Sequence, residues 1–241
     1  MVSFIDCHLS LRRCSPFNGG KFEGWGTSFC WWPNRIGYLD ELSEQAAKLF
    51  FDPKEGLGLN IIRYNIGGGD DPTHHHITRT DSMVPGYAIN PSHDANGYHW
   101  SYDWNADQNQ RNVLMKVAEC YGKDLIVEGF SNSPPYFMTN SGCSSGSVNA
   151  GENNLREDAY GAFASYLADV AQHFSKEWGI HFQSMTAMNE PDTEYWHALS
   201  DKQEGCHFDQ GESQSKIIEM LNEELKKREI NIIICGTDET S

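Results

Sequence analysis

The 241-residue chain has no long hydrophobic run and few basic residues, and each shortage removes a class of partner. No stretch approaches the roughly 20 apolar residues that a membrane-spanning helix needs, so we expect no membrane partner. The chain carries 18 Lys and Arg residues against 34 Asp and Glu residues, a formal net charge of −16. Because nucleic acids bind to basic surfaces, we expect no nucleic-acid partner, and a neutral ligand fits better.

Export signals and cysteine motifs are also missing. The first eight residues lack the apolar run of a signal peptide, so as written the chain is not addressed for export, and its compartment stays unknown. Seven cysteines are scattered without a C-x-x-C pair, which argues against a zinc ribbon or a thioredoxin-like motif. We interpret them mainly as buried thiols, and a disulfide between Cys143 and Cys206 is an option if a fuller form is secreted.

Aromatic residues, by contrast, are plentiful. They make up 12% of the chain, with seven Trp and ten Tyr. Such a composition suits a site that stacks the flat apolar faces of sugar rings, although a large aromatic core would explain it equally well. The stacking candidates lie at predicted strand ends or in the loops beyond them: Trp31, Trp32, Tyr136, Tyr195 and Trp196.

Strand-like and helix-like segments alternate along the chain. The pattern predicts strands at 22–32, 57–66, 124–130, 182–191 and 230–235, and helices at 38–51, 103–121, 155–178 and 212–228. The strands are continuously apolar, which predicts a parallel sheet covered on both faces. Residues 1–21 show no clear period and are interpreted as an irregular lead-in, so the folded unit is 22–241.

The connections are unequal in length. Those from helix to strand are a few residues, whereas those from strand to helix are long and polar, as in the stretch 67–102, which shows no periodicity. The long connections therefore all lie at the carboxyl ends of the strands. This arrangement predicts an α/β fold of the (β/α)8 TIM-barrel type with its site at that end of the barrel. About five of the eight strands are present, so we expect an incomplete barrel. A doubly wound sheet is the alternative.

The most informative strand, 182–191, stops at Pro191 directly after an amide and a carboxylate. Because proline cannot continue a parallel ladder, Asn189 and Glu190 should lie at the carboxyl end of the strand. We interpret Glu190 as a catalytic acid/base, and the alternative is that it merely caps the following segment. Asp70 and Asn132 also follow predicted strand ends, so we expect these side chains to converge on one cleft.

Two other kinds of ligand can be considered for the loop that begins at Gly67. Glycine-rich loops cradle phosphates, but no G-x-G-x-x-G or lysine-bearing pattern follows, and Asp70 and Asp71 stand where an anion would lie. The run 74–76 is three histidines, yet adjacent histidines point in divergent directions and no acidic pair at a suitable spacing completes a set. We therefore predict no metal and no cofactor.

Five motifs, in order, resemble glycoside hydrolase family 30, and most closely its endo-β-1,6-galactanase branch. They are Phe22-Glu23-Gly24-Trp25-Gly26-Thr27, Asn60-Ile61-Ile62-Arg63-Tyr64-Asn65-Ile66-Gly67-Gly68-Gly69, Ser131-Asn132-Ser133-Pro134-Pro135, Asn189-Glu190-Pro191 and Lys202-Gln203-Glu204-Gly205-Cys206. The resemblance implies a retaining β-glycosidase with a (β/α)8 barrel, usually with a β-sandwich beside it. Members of the family are usually secreted or periplasmic.

The resemblance also implies roles. The glutamate of Asn-Glu-Pro is the acid/base in this family, its asparagine neighbour binds the sugar 2-hydroxyl, and Arg63 would hold a catalytic carboxylate ionised, unless it forms a purely structural ion pair. Retention needs a second carboxylate roughly 5–5.5 Å from the first. The family places it after the seventh strand, and Glu239 is the only in-chain substitute. The chain is therefore interpreted as an amino-terminal portion that lacks the nucleophile.

The sequence thus predicts a retaining glycoside hydrolase that cleaves a β-linked neutral glycan, with β-1,6-galactan as the first candidate and an oligo- or polysaccharide as the only expected partner. A non-catalytic carbohydrate-binding remnant of the barrel is the alternative. Glu190 is the predicted catalytic residue, and the predicted substrate-binding residues are Asn189, Arg63, Asp70, Asn132, Tyr136, Trp31 and Tyr195.

Overall fold

A computed structural model describes residues 22–74 and 76–238. The predicted lead-in and Glu239 lie outside the described residues. In chain order the strands are β1 Gly26–Ser28, β2 Ile61–Asn65, β3 Ala88–Asp94, β4 Gly97–Tyr102, β5 Ile126–Phe130, β6 Ser184–Thr186 and β7 Ile233–Ile234. The helices are α1 Trp32–Ile36, α2 Asp40–Phe51, α3 Gln108–Tyr121, α4 Tyr160–Trp178 and α5 Glu212–Lys227, and two 3₁₀ turns span Tyr136–Met138 and Glu157–Ala159.

Five strands form one parallel sheet in the order β1, β2, β5, β6, β7. The order follows the sequence without a reversal, whereas a doubly wound sheet reverses its strand order at a switch point. All five carboxyl ends therefore lie at one edge of the sheet. The predicted α/β fold with a parallel sheet is confirmed.

Helix α4 shows how the sequence builds the layer that covers this sheet. Phe163, Leu167, Val170 and Phe174 recur at helical spacing, and all four are fully buried. Removing each such side chain from water contributes about 1.5–3 kcal/mol. The helix ends at Gly179, which adopts the left-handed conformation with φ 67° and donates its N–H to the Phe174 carbonyl.

Several predicted elements are longer than the observed ones, and the prediction lacks helix α1 and strands β3 and β4. The first predicted strand is reduced to β1, because helix α1 begins at Trp32 with Pro33 in its first turn, a position that proline favours. The stretch 67–102 is not irregular throughout, since β3 and β4 form an antiparallel hairpin. Ala95 and Asn96 form its turn, and Gly97, the first residue of β4, has a φ of 107° that glycine adopts readily. The strands escaped notice because most of their side chains are exposed.

Two smaller observations concern the cysteines and the helices. Cys143 and Cys206 are both buried free thiols, so the disulfide considered from the sequence is not present. In the described part of the chain, no helix combines the length and the apolar character needed to cross a lipid bilayer.

Candidate active site

The predicted site residues lie within a sheet strand or follow the carboxyl end of one. They are Trp31 after β1, Arg63 within β2 and Asp70 after it, Asn132 and Tyr136 after β5, and Asn189, Glu190 and Tyr195 after β6. Because the strands are parallel, these segments leave the sheet at the same edge.

Arg63 is the charged centre of this edge. Its side chain is 22% exposed, and its Nε lies 2.9 Å from Glu128 Oε1 on the neighbouring strand. Its Nη2 donates to Asn189 Oδ1 at 3.0 Å and lies 2.9 Å from Asp238 Oδ2. The guanidinium carbon sits 3.6 Å from the centre of the Phe130 ring. The pairing expected for a cation in an apolar strand is therefore present, and it fixes the orientation of the Asn189 amide.

Glu190 has a strained backbone that its neighbours hold in place. Its φ is 48°, a left-handed value that costs a non-glycine residue about 1–3 kcal/mol. Its N–H donates to the Asp238 carbonyl at 2.7 Å, and its own carbonyl accepts from Thr193 Oγ1 at 2.8 Å and Trp196 Nε1 at 3.0 Å. The Tyr195 hydroxyl donates to Glu190 Oε2 at 2.5 Å. These hydrogen bonds hold the Glu190 backbone, and one oxygen of its carboxylate, in a fixed position.

The aromatic candidates differ in how far they are buried. Trp196 is buried against Gly205, where any Cβ would lie 2.1 Å from the indole ring, so it is closed to a ligand. Trp32 packs edge-on against Phe29 and Phe50 and is half-buried. Trp31, Tyr136 and Tyr195 are partly or largely exposed. The structure also gives Tyr195 a contact that sequence reasoning missed, since its hydroxyl binds the predicted acid/base.

The buried side chain of Glu204 binds the glycine-rich loop that follows β2. Gly68 lies so close to the loop after β5 that a Cβ would be 2.4 Å from the Pro134 carbonyl oxygen. Its N–H donates to Glu204 Oε1 at 2.9 Å. Burial raises the pKa of Glu204 well above its usual value, although bonds from the Gly68 and Gly69 N–H groups act in the opposite direction. Glu204 was noticed only as part of a family motif.

The loop after β5 contacts the segments that follow β1 and β2. Asn132 is buried, and its Nδ2 donates to Cys30 Sγ at 3.9 Å. Burial raises the pKa of the Cys30 thiol to about 11, so this group is neutral and unsuited to nucleophilic attack near pH 7. Burial also raises the pKa of Tyr136, with smaller contributions from the charges of Asp71 and Asp70. Tyr136 is therefore a neutral hydroxyl near the acidic loop.

Asp70 is enclosed by two histidines, an arrangement that the sequence argument did not expect. His76 Nδ1 lies 2.9 Å from Asp70 Oδ2, and His74 Nδ1 lies 3.9 Å from Asp70 Oδ1. One ligand atom from each residue lies within 4.8 Å of the other two. His74 and His76, two positions apart, thus both lie beside Asp70. The divergence predicted for adjacent histidines involves His75, which lies outside the described residues.

Comparisons with known proteins place the chain in a family. The family model of O-glycosyl hydrolase family 30 matches residues 21–239. An endo-β-1,6-galactanase of Hypocrea rufa is 38% identical over 243 residues, which cover 93% of this chain and 48% of the relative. An exo-β-1,6-galactobiohydrolase of Bifidobacterium longum subsp. longum is 28% identical over 259 residues, which cover 85% of this chain and 16% of that protein.

A solved structure extends the likeness to the fold. A conserved exported protein from Bacteroides fragilis superposes with a TM-score of 0.77 at 24% identity, covering 90% of this chain and 44% of that one. The chain thus spans about half the length, or less, of the relatives it matches. Because the family model extends over nearly all of the described residues, the chain belongs to O-glycosyl hydrolase family 30.

Proposed function

We propose that the protein is a retaining glycoside hydrolase that cleaves a β-linked neutral glycan, with β-1,6-galactan as the first substrate to test. The family membership and the names of the two relatives support this choice. The observation that carries it is Glu190, a partly exposed carboxylate on a strained backbone at the end of β6. Strain of this kind persists only where the surroundings enforce it, and it concentrates at functional sites.

Glu190 is the general acid/base of the proposed reaction. In the first step it gives its proton to the glycosidic oxygen as the bond to the anomeric carbon breaks, and in the second it takes a proton from the attacking water. The Tyr195 hydroxyl holds Oε2, which directs the other carboxylate oxygen to the leaving group. Asn189, oriented by Arg63, contacts the sugar 2-hydroxyl with a hydrogen bond that strengthens in the transition state.

The remaining predicted residues form the walls of the cleft in this proposal. Asp70 and Asn132 bind sugar hydroxyls from the loops after β2 and β5, and Trp31, Tyr136 and Tyr195 contact the apolar faces of the sugar rings. These loops touch where Gly68 meets Pro134. Their convergence with Glu190 follows from the common edge at which all five strands end.

The nucleophile is proposed to come from outside residues 22–238. Retention requires a carboxylate roughly 5–5.5 Å from the acid/base. The two carboxylates described around Arg63, those of Glu128 and Asp238, are both engaged with the guanidinium. We assign residues 22–241 to the amino-terminal part of a (β/α)8 barrel, and the nucleophile to the end of its seventh strand. The unreversed strand order supports this assignment.

The test uses two proteins, the 241-residue chain and the same chain joined to the remaining half of the Hypocrea rufa relative. Each is incubated with β-1,6-galactan, β-1,6-glucan and xylan, and release of reducing ends is measured. We expect the joined protein to hydrolyse β-1,6-galactan, with NMR showing the β-anomer as the first product, and the 241-residue chain alone to be inactive. Binding of galactan without hydrolysis by the joined protein would favour the non-catalytic alternative.

A matched pair of variants assigns the acid. Glu190→Gln should lower activity of the joined protein by about 10³-fold, because the proton donor is lost while the shape is kept. Glu194 is an exposed glutamate in the same loop, so Glu194→Gln should leave activity unchanged. Equal effects of the two substitutions would reject Glu190 as the acid/base.

A further inference from the structure

The three side chains around Asp70 have the spacing of metal ligands. Four-coordinate Zn²⁺ binds nitrogen and oxygen at about 2.0–2.2 Å, which puts neighbouring ligand atoms on the order of 3.4 Å apart. The distances from Asp70 oxygens to His76 Nδ1 and His74 Nδ1, 2.9 and 3.9 Å, bracket this value. The two imidazole rings are tilted at 66°, with centroids 5.7 Å apart, so they do not stack and each can present an edge to a common centre.

Two buried polar atoms in this group lack a partner. The side chains of His76 and Asp70 are only 7% and 10% exposed. Among the described residues, neither His76 Nδ1 nor Asp70 Oδ1 has a hydrogen-bond partner, and the 2.9 Å approach of Nδ1 to Oδ2 is not aligned as a hydrogen bond. An unpaired buried polar atom is costly. A cation bound between the His76 and Asp70 side chains would give both of these atoms a partner.

One outer contact, on the ring of His76, suits the same interpretation. His76 Nε2 lies 2.9 Å from Ser145 Oγ, and a proton donated from Nε2 to this hydroxyl leaves Nδ1 with the lone pair that a metal requires. On the other ring, the proposed ligand atom His74 Nδ1 itself lies 3.5 Å from Cys143 Sγ, so this thiol lies beside the proposed ion and not behind the ring. Both Ser145 and Cys143 belong to the loop after β5, so an ion held here would join the rim loops that follow β2 and β5.

We propose that Asp70, His74 and His76 bind one divalent first-row transition ion, with Zn²⁺ as the expected occupant. Two imidazoles and one carboxylate match the preference of Zn²⁺, whereas Mg²⁺ and Ca²⁺ prefer sets made only of oxygen ligands. Three protein ligands leave a position for water or for a hydroxyl of a bound ligand. The proposal does not rest on the proposed glycosidase activity, because it concerns binding of the ion alone.

The test measures metal binding directly. Tag-free protein is stripped with a chelator and titrated with Zn²⁺ by calorimetry and with Co²⁺ by visible absorption. We expect about one equivalent of Zn²⁺ with a Kd on the order of micromolar or tighter, Co²⁺ d–d bands, and no comparable binding of Mg²⁺. Asp70→Asn and His74→Ala should each weaken Zn²⁺ binding roughly a hundredfold or more, and Ser145→Ala by about ten- to a hundredfold.

The chain provides a matched control in a second Asp–His pair. His99 Nε2 lies 3.1 Å from Asp94 Oδ1, but both side chains are about half exposed. His99→Gln should therefore leave the Zn²⁺ stoichiometry and Kd unchanged, and metal-free melting curves show whether each variant folds. If the wild-type protein binds no Zn²⁺, or if folded Asp70→Asn and His74→Ala variants keep the wild-type Kd, the site does not exist. Neither result would alter the case for hydrolysis, which the galactan assay tests separately.

Discussion

Strand β2 carries two polar networks, one on each face, and they differ in burial and charge. Arg63 points to the edge where the site lies and joins charged, partly exposed groups. Tyr64, the next residue, is fully buried on the opposite face, where its hydroxyl donates to Asp107 Oδ2 at 2.6 Å and lies 3.0 Å from the Tyr87 hydroxyl. Successive residues of a strand point to opposite faces, so one short strand serves both networks.

The two networks have different electrostatic environments. The positive charge of Arg63 contacts groups from three other strands or the segments that follow them, Glu128 in β5, Asn189 after β6 and Asp238 after β7, and it fixes the Asn189 amide. On the Tyr64 face, burial raises the pKa of Asp107 to about 7, while bonds from Tyr64, Gln110 and Tyr87 act against the rise. The buried network thus favours a neutral acid near neutral pH and stabilises the packing of α3 and the hairpin on the sheet. We expect it to determine stability and the Arg63 network to determine activity.

The largest expected effect is on the pH dependence of stability. Because the folded-state pKa of Asp107 is raised from 3.8 to about 7, the folded state holds the proton more tightly than the unfolded state. Its stabilising contribution is complete below pH 3.8 and is lost as the pH rises to about 7. Relative to Asp107→Asn, which does not titrate, the wild-type protein should lose up to about 4 kcal/mol over this interval. Urea unfolding at several pH values measures the difference, and a constant difference would contradict the prediction.

The second effect concerns the Arg63 network. Arg63→Gln should lower kcat/KM by about 100-fold in a form of the protein that hydrolyses galactan, because Asn189 loses its anchor and Glu128 its cation. The melting temperature should change little, since these groups are partly exposed.

The matched change on the other face is Tyr64→Phe. It should reduce the free energy of unfolding by about 1–2 kcal/mol, because Asp107 loses a buried hydrogen bond, and leave kcat/KM nearly unchanged. Comparing the kinetics and unfolding of the Arg63→Gln and Tyr64→Phe variants tests the division. If Tyr64→Phe lowered activity as much as Arg63→Gln, the two faces of β2 would not be functionally separate.

The smallest effect is expected at Tyr195. Tyr195→Phe removes the hydroxyl that donates to Glu190 Oε2 and should lower kcat by about tenfold. Stability should change little because the Tyr195 side chain is 49% exposed. If Tyr195 acts instead as a stacking surface, Tyr195→Phe should be neutral and Tyr195→Ala should raise KM. Steady-state kinetics of both variants separate the two roles.

The sequence predicts the groups whose position follows from a strand end. Asn189 and Glu190 follow β6 as predicted, although the strand ends at Thr186 and not at Pro191. A cation among apolar residues requires the partners that Arg63 has. The periodicity of α4 likewise predicts its buried face. These inferences succeed because each depends on local pattern or on a strict energetic requirement.

Other contacts depend on loop conformation and on long-range packing, which the pattern does not contain. Tyr195 lies in a loop, and only the three-dimensional path of that loop decides whether its hydroxyl meets Glu190. The Tyr64–Asp107 hydrogen bond joins residues 43 positions apart, and neither residue looks unusual alone. The approach of His74 and His76 to Asp70 likewise depends on the path of the loop, which the sequence pattern does not give.

The most direct test of the central claim is the leaving-group dependence of Glu190→Ala. Aryl β-1,6-galactobiosides with good and poor leaving groups are compared in the hydrolytically active protein, with and without azide. We expect kcat/KM to fall roughly 10³-fold for poor leaving groups, which need the proton, and about tenfold or less for good ones, with azide partly restoring activity as the glycosyl azide forms. An equal loss for both classes of substrate, with no response to azide, would show that Glu190 is not the acid/base.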